Sequence, residues 1–187
     1  MGDAETLAQL TSRVDRLDQI QAIQDSLYRY AHCIDYGLES EWVDCFTDDG
    51  RFVFGFRPGK SPFPGPEPEG GAVFAFQGRT ELTRFIQGHS RAPENFHKHL
   101  MIQPRIDIRG NTAKVSSYFV LVLENQDGSR EVFTFGRYLD SMVRGSDGRW
   151  RFSERIAEVE TCGPGSRLQR VAQAQANAGS SPCMSPL

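Results

Sequence analysis

The chain has 187 residues with a formal net charge of −3, and its 21 basic side chains form no continuous run. This balance disfavours nucleic acid and anionic membrane surfaces as partners, and no apolar run reaches the roughly 18 residues that a membrane-spanning helix needs. The length predicts one domain, and an acidic, polar N-terminus with four cysteines lacking metal-ligand spacing favours a reducing cytoplasm.

The first predicted element is a long helix that ends beside a carboxylate. Residues 2–19 are polar and mixed in charge, which predicts an exposed start to this helix. Apolar side chains then recur at helical spacing, at Ile20, Ile23, Leu27, Ala31 and Ile34. Asp35 follows this stripe directly before Gly37, where we expect the helix to stop. Because a carboxylate at the inner end of a core helix is costly unless it is paired, Asp35 is the first candidate functional residue.

A short helix and a strand are predicted next. Residues 40–46 have helical character, with Ser40 as the expected N-cap. The segment 47–50 contains two aspartates and a glycine and predicts a turn. The aromatic and β-branched residues at 51–56 predict the first strand.

A segment rich in proline and glycine, residues 57–72, separates this strand from a third helix. Its composition excludes a helix or a central strand, so it forms either a mobile flap or a lid over the mouth of a cavity. Thr80 is the expected cap of the third helix, residues 81–89, which would turn Leu82, Phe85 and Ile86 inward.

The remaining segments alternate with a period of two and predict four long strands, at 96–109, 112–124, 130–144 and 149–161. Asp-Gly pairs before the last two strands indicate hairpins, so the sheet should be antiparallel. Helices grouped ahead of such a sheet define an α+β class. We expect a single domain over residues 1–162, followed by a tail, 163–187, that is partly disordered or packed on a neighbouring subunit.

In their order and spacing these segments resemble the SnoaL-like branch of the NTF2-like superfamily. The matching pieces are residues 22–37, 42–54, 78–82, 99–119, 136–140 and 147–156. The resemblance implies a cone, in which three N-terminal helices lie against a strongly curved, mostly antiparallel sheet. It also implies a homo-oligomer, with a trimer favoured over a dimer.

Within that branch the chain is most similar to dehydrochlorinases, scytalone dehydratases and bile-acid 7α-dehydratases, which are lyases that work without a cofactor. The resemblance places their catalytic Asp, His and Tyr on Asp35, His99 and Tyr30, and a pocket arginine on Arg155. The chain departs from the family at Gln103, where relatives often have Asn, and in the length of the segment 57–72.

A hydrogen bond between Asp35 and His99 would fix the imidazole tautomer and leave the other ring nitrogen to take a proton from a substrate. Tyr30, with Arg155 or Tyr118, would then polarise a carbonyl or protonate a leaving group, which gives an elimination. The many phenylalanines indicate a small hydrophobic substrate, aromatic or steroid-like. Its expected contacts, besides Arg155, are Phe52, Phe54, Phe85, His97, Tyr118, Phe119 and Phe135.

Other functions remain open from the residues alone. The same base could serve a C–C lyase or an isomerase that moves a proton. His97 and His99 lie two apart on one strand and could instead ligate a metal with Asp35 or His89, although the resemblance implies neither metal nor cofactor. A non-enzymatic subunit, similar to the small subunits of aromatic-ring dioxygenases, or a ligand-binding module would not need the Asp–His pair.

Overall fold

The structure, a computed structural model, describes residues 2–56, 72–93, 95–125 and 127–160, with side chains from residue 6 and, after the first gap, from residue 74. The helices are α1 (Gly2–Tyr36), α2 (Glu39–Val43) and α3 (Gly78–Gly88). The strands are β1 (Phe46–Phe56), β2 (Ala72–Gln77), β3 (His97–Arg109), β4 (Thr112–Glu124), β5 (Arg130–Arg144) and β6 (Trp150–Val159). The predicted flap or lid and the predicted tail lie outside the described residues, apart from Ala72.

The six strands form one curved, unclosed sheet in the order β2-β1-β6-β5-β4-β3. Strand β1 runs parallel to β6, and the other neighbouring pairs are antiparallel. Helix α1 packs on β3 and β6, and α3 packs on β1 and β2. The predicted α+β cone is therefore confirmed, with the helices on the inner face of the sheet.

Helix α1 has two halves with different surroundings. The stripe predicted to face inward is buried at Ile23, Leu27 and Ile34, whereas Leu7 and Leu17 in the first half are exposed. None of the helices in the described ranges carries an apolar stretch that would span a bilayer.

The structure corrects the start of β1. The predicted turn at 47–50 belongs to β1, which begins at Phe46. The backbone N–H of Phe152 donates to the carbonyl of Cys45 at 2.9 Å, so β6 already pairs with the chain before the acidic residues. The register of β1 on β6 shifts between Phe46 and Arg51. This irregularity accommodates the turn-like residues 47–50 within the strand.

Strand β2 was not predicted, because it is short and follows the Pro/Gly-rich segment directly. Both predicted helix caps are also wrong. Helix α2 follows Leu38, two residues before the expected cap Ser40, and α3 follows Gln77 rather than Thr80. In place of a side-chain cap, the Glu81 carboxylate accepts the backbone N–H of Gln77 at 2.7 Å.

A buried aromatic cluster joins the helices to the sheet. The ring of Tyr30 in α1 lies 5.5 Å from Trp42, 6.2 Å from Phe46 and 5.8 Å from Phe152, measured between centroids. Trp42 and Phe46 lie 5.0 Å apart. Tilted and edge-to-face pairs of this kind stabilise a core beyond the apolar area that they bury, so the cluster fixes α1 and α2 against the junction of β1 and β6.

This packing predicts a large difference between two chemically identical truncations. Phe152→Ala removes a fully buried ring and should lower the free energy of unfolding by about 3–5 kcal/mol. Phe96→Ala removes a ring that is 55% exposed and should change it by less than about 0.5 kcal/mol. Urea titrations of both variants measure the difference. Equal losses would contradict the burial of the cluster.

Candidate active site

Asp35 and His99 meet where α1 ends and β3 begins. The Nδ1 atom of His99 lies 2.6 Å from Oδ1 of Asp35. The backbone N–H of His99 also donates to both carboxylate oxygens, at 3.2 and 3.1 Å. A carboxylate that is only 5% exposed is therefore satisfied by one neighbour. An Nδ1–H that donates to it leaves the lone pair of the neutral imidazole on Nε2.

Local structure explains why these groups meet. Gly37 adopts a φ of +68°, and the N–H of Leu38 donates to the carbonyl of Cys33 at 2.9 Å. This closure ends α1 in the manner of a Schellman motif and holds Asp35 in the last turn. On β3, the alternation of side chains places His97 and His99 on the inner face.

Two further histidines surround the pair. The ring of His97 lies 5.3 Å from that of His99, and the ring of His89, directly after α3, lies 5.3 Å from His97 and 5.9 Å from His99. Nε2 of His97 approaches Oδ1 of Asp35 to 3.5 Å and has no hydrogen-bond partner among the described residues. Nδ1 of His89 lies 2.8 Å from the carbonyl of Ser90.

Burial makes His89 and His97 weak bases. It lowers the pKa of His89 to about 3 and that of His97 to about 4, and the neighbouring ring of His99 adds to both decreases. Near neutral pH both rings are therefore uncharged. The site presents them as neutral imidazoles beside the Asp35–His99 hydrogen bond.

A buried ion pair lies next to this group. Nε and Nη2 of Arg155 donate to the two oxygens of Asp140, each at 2.9 Å, and both side chains are fully buried. The guanidinium lies 4.1 Å from the ring centre of Tyr30 and 4.0 Å from that of Tyr138. Nη2 also contacts the sulfur of Met101, two residues after His99 on β3, at 3.4 Å. The ion pair thus packs against Tyr30, Tyr138 and the strand that carries His99.

The structure brings some predicted site residues together and separates others. Asp35, His97 and His99 form one cluster, and Phe119 lies in the adjoining interior, where its ring is 4.7 Å from that of Tyr138. On the other side the ring of Phe85 lies 5.7 Å from His89. Phe52 packs on Phe85, with ring centres 5.0 Å apart, whereas the ring contacts of Phe54 among the described residues are with Phe56 and Phe74.

Tyr118 and Phe135 are corrections to the predicted site. Tyr118 is 57% exposed, because β4 turns Phe119 inward and its neighbour to the outer face. Phe135 is 47% exposed and pairs in register with Val120, which faces outward in the same way. Strand alternation therefore directs both rings away from His99.

Tyr138 and Asp140 were not predicted as site residues. Both are buried on the inner face of β5. The signal that could have found them is the alternation of that strand, in which a tyrosine and an aspartate share a face with Met142.

Residues 15–156 match the SnoaL-like domain family, and the chain belongs to that family. A comparison with curated proteins finds no match. Among solved structures, an NTF2-like protein with a cystatin-like fold from Novosphingobium aromaticivorans aligns over 90% of this chain and 97% of its own, at 17% identity and a TM-score of 0.67.

Two other structures from the same organism share the fold. One, provisionally named the beta subunit of an aromatic-ring-hydroxylating dioxygenase, aligns over 83% of this chain and 97% of its own, at 22% identity and a TM-score of 0.64. The other, provisionally named scytalone dehydratase, aligns over 78% of this chain and 87% of its own, at 18% identity and a TM-score of 0.59. At these identities the likeness shows the fold alone.

The depressed pKa values of His89 and His97 predict an acid-sensitive fold. As the pH falls below about 6.5 the unfolded histidines bind protons, whereas the folded ones stay neutral until the pH approaches about 4 and 3. The unfolded state thus binds more protons, and the free energy of unfolding falls with pH. The double variant His89→Gln/His97→Gln should lose about 2–5 kcal/mol less between pH 7 and pH 4.5 than the unaltered protein.

Urea unfolding at the two pH values tests this, with His32→Gln as the control. His32 is exposed on α1 and serves as the control for a histidine replaced outside the site. If stability depends on pH in the double variant as it does in the unaltered protein, the two rings are not held neutral.

The Arg155–Asp140 pair predicts a second contrast. Asp140→Asn leaves a buried guanidinium without its counter-charge and should lower the free energy of unfolding by about 3–5 kcal/mol. Glu158→Gln makes the same change at Arg137–Glu158, a 2.8 Å pair on the same two strands whose arginine side chain is 42% exposed. There the expected loss is below about 1 kcal/mol. Thermal or urea unfolding distinguishes the two, and similar losses would show that Asp140 is not the essential partner of Arg155.

Proposed function

We propose that this protein is a cofactor-independent lyase. In this proposal His99, oriented by Asp35, removes a proton from a hydrophobic aromatic or polycyclic substrate while water or another small group leaves the neighbouring carbon. The observation that carries the proposal is the 2.6 Å hydrogen bond between Nδ1 of His99 and the buried Asp35 carboxylate, which leaves Nε2 as a proton acceptor.

The bond changes follow from that arrangement. Nε2 of His99 takes the proton, the electrons of the broken C–H bond form a carbon–carbon double bond, and the C–O bond to the leaving group breaks. The carboxylate of Asp35 stabilises the imidazolium that forms, as in other carboxylate–histidine pairs. Base catalysis of this kind is worth about 10²–10⁴-fold in rate.

Tyr30 and Tyr138 supply the hydrogen-bond donors in this proposal. Burial raises the pKa of Tyr138 to about 12 and that of Tyr30 well above its ordinary value, so both hydroxyls stay protonated at neutral pH. A protonated hydroxyl can donate to a departing oxygen or to a substrate carbonyl. Arg155, paired with Asp140, holds the two rings in place through its contacts with both.

The substrate class rests on the apolar side chains around the histidines. Phe85 packs on His89 and, at 5.0 Å, on Phe52, while Phe119 packs on Tyr138. Flat apolar ligands are favoured by such surroundings. A protein provisionally named scytalone dehydratase shares this fold.

We also propose a homo-oligomer, with a trimer favoured. Its support is the outer face of the sheet, where apolar side chains are exposed on three neighbouring strands, at Leu100, Ile102, Tyr118, Val132 and Phe135. A contiguous apolar face of this kind is typical of a surface that another chain covers.

The test is a screen of steroid-like and aromatic alcohols that carry an acidic C–H next to the hydroxyl-bearing carbon, with loss of water detected by mass spectrometry. Asp35→Asn and His99→Gln should each lower kcat/KM by about 10²–10⁴-fold, and the double variant should be little worse than either. His32→Gln should keep full activity, because this histidine is exposed at the opposite side of α1 from the core stripe.

Two results would refute the lyase. If both Asp35→Asn and His99→Gln keep their turnover, His99 is not the base of the reaction. A product with unchanged mass would assign the same base to an isomerase instead.

A further inference from the structure

The histidine next to the proposed base has an unused ligand atom. Nε2 of His97 belongs to a side chain that is 4% exposed, and it has no hydrogen-bond partner within the described part of the chain. It faces the carboxylate that already binds His99. Ligand atoms of Asp35, His97 and His99 all lie within 4.8 Å of one another.

These distances fit a small tetrahedral ion. Zinc bonds to nitrogen and oxygen of about 2.0–2.2 Å place neighbouring ligand atoms about 3.3 Å apart. The separation between Nε2 of His97 and Oδ1 of Asp35 is already 3.5 Å. Nδ1 of His99 lies at 2.6 Å from the same oxygen and would have to move away by about 0.7 Å to share the ion. Two imidazoles with one carboxylate favour zinc, cobalt or nickel over magnesium or calcium, which prefer oxygen ligands.

We propose that Asp35, His97 and His99 form a binding site for a divalent transition metal ion such as Zn²⁺, and that the bound ion switches off His99 as a base. The ion replaces the proton on Nδ1 of His99, and in the neutral ring the proton then resides on Nε2. That nitrogen has no lone pair left to accept a proton from a substrate. Metal binding stands on the geometry alone, whereas the inhibition rests on the proposed function.

The binding half is tested by titrating the metal-free protein with Co²⁺ and recording the visible absorption of a four- or five-coordinate ion. We expect one ion per chain, with an affinity about tenfold or more weaker in His97→Gln. His32→Gln is the matched control, since it removes the exposed histidine that would explain adventitious surface binding. Circular dichroism and the urea midpoint establish that each variant is folded, and His99→Gln provides a second ligand variant.

The proposed inhibition of His99 by the metal ion is tested by NMR of the imidazole nitrogens. In spectra of ¹⁵N-histidine-labelled protein, Zn²⁺ should move the proton of His99 from Nδ1 to Nε2 and shift the signals of His97, while His32 stays unchanged. Absence of Co²⁺ binding, or equal affinity in His97→Gln, overturns the metal site and leaves the elimination test untouched. Binding with an unchanged His99 tautomer overturns the switch. If only the substrate screen fails, the lyase proposal is overturned and the metal site stands.

Discussion

The hydrogen bonds between Asp35 and His99 are the constraint on which the rest of the site depends. One carboxylate accepts the side-chain and backbone N–H groups of a single residue 64 positions away, which ties the end of α1 to the beginning of β3. Because the backbone N–H contributes, the position of the carboxylate is set by the sheet as well as by the ring. The same contact therefore joins α1 to the sheet and selects the tautomer of His99.

The contact between Asp35 and His99 is supported by a buried ion pair between Arg155 and Asp140. Arg155 is fully buried, its charge is balanced by Asp140, and three aromatic rings lie about it at 4.0–4.1 Å. Rings that contact a guanidinium on their faces gain cation–π attraction while they shield it from water. The arrangement fixes Tyr30 and Tyr138 relative to each other, and through Met101 it reaches the strand that carries His99.

Much of this could be predicted from the sequence, and the failures have physical causes. The apolar stripe that ends before Gly37 located Asp35, and the spacing of His97 and His99 placed them on one face. Their approach to Asp35 depended on the family resemblance, because no local pattern links segments so far apart. Tyr118 was misassigned because β4 is apolar on both faces at 118–121. Alternation alone therefore could not show which face of the sheet Tyr118 occupies. The pairing of Asp140 with Arg155 depends on the β5–β6 register, which shifts between Ser141 and Met142.

The desolvation cost of the polar cluster formed by Asp35, His89, His97 and His99 is an argument for function. His89 and His97 are held neutral by burial, and Nε2 of His97 is unpartnered among the residues described. Apolar side chains of similar volume would avoid that desolvation cost. A fold that needed only stability would gain from such replacements, whereas a metal ligand at His97 requires its ring nitrogen. The desolvation cost of the cluster therefore supports the proposals that assign it chemistry.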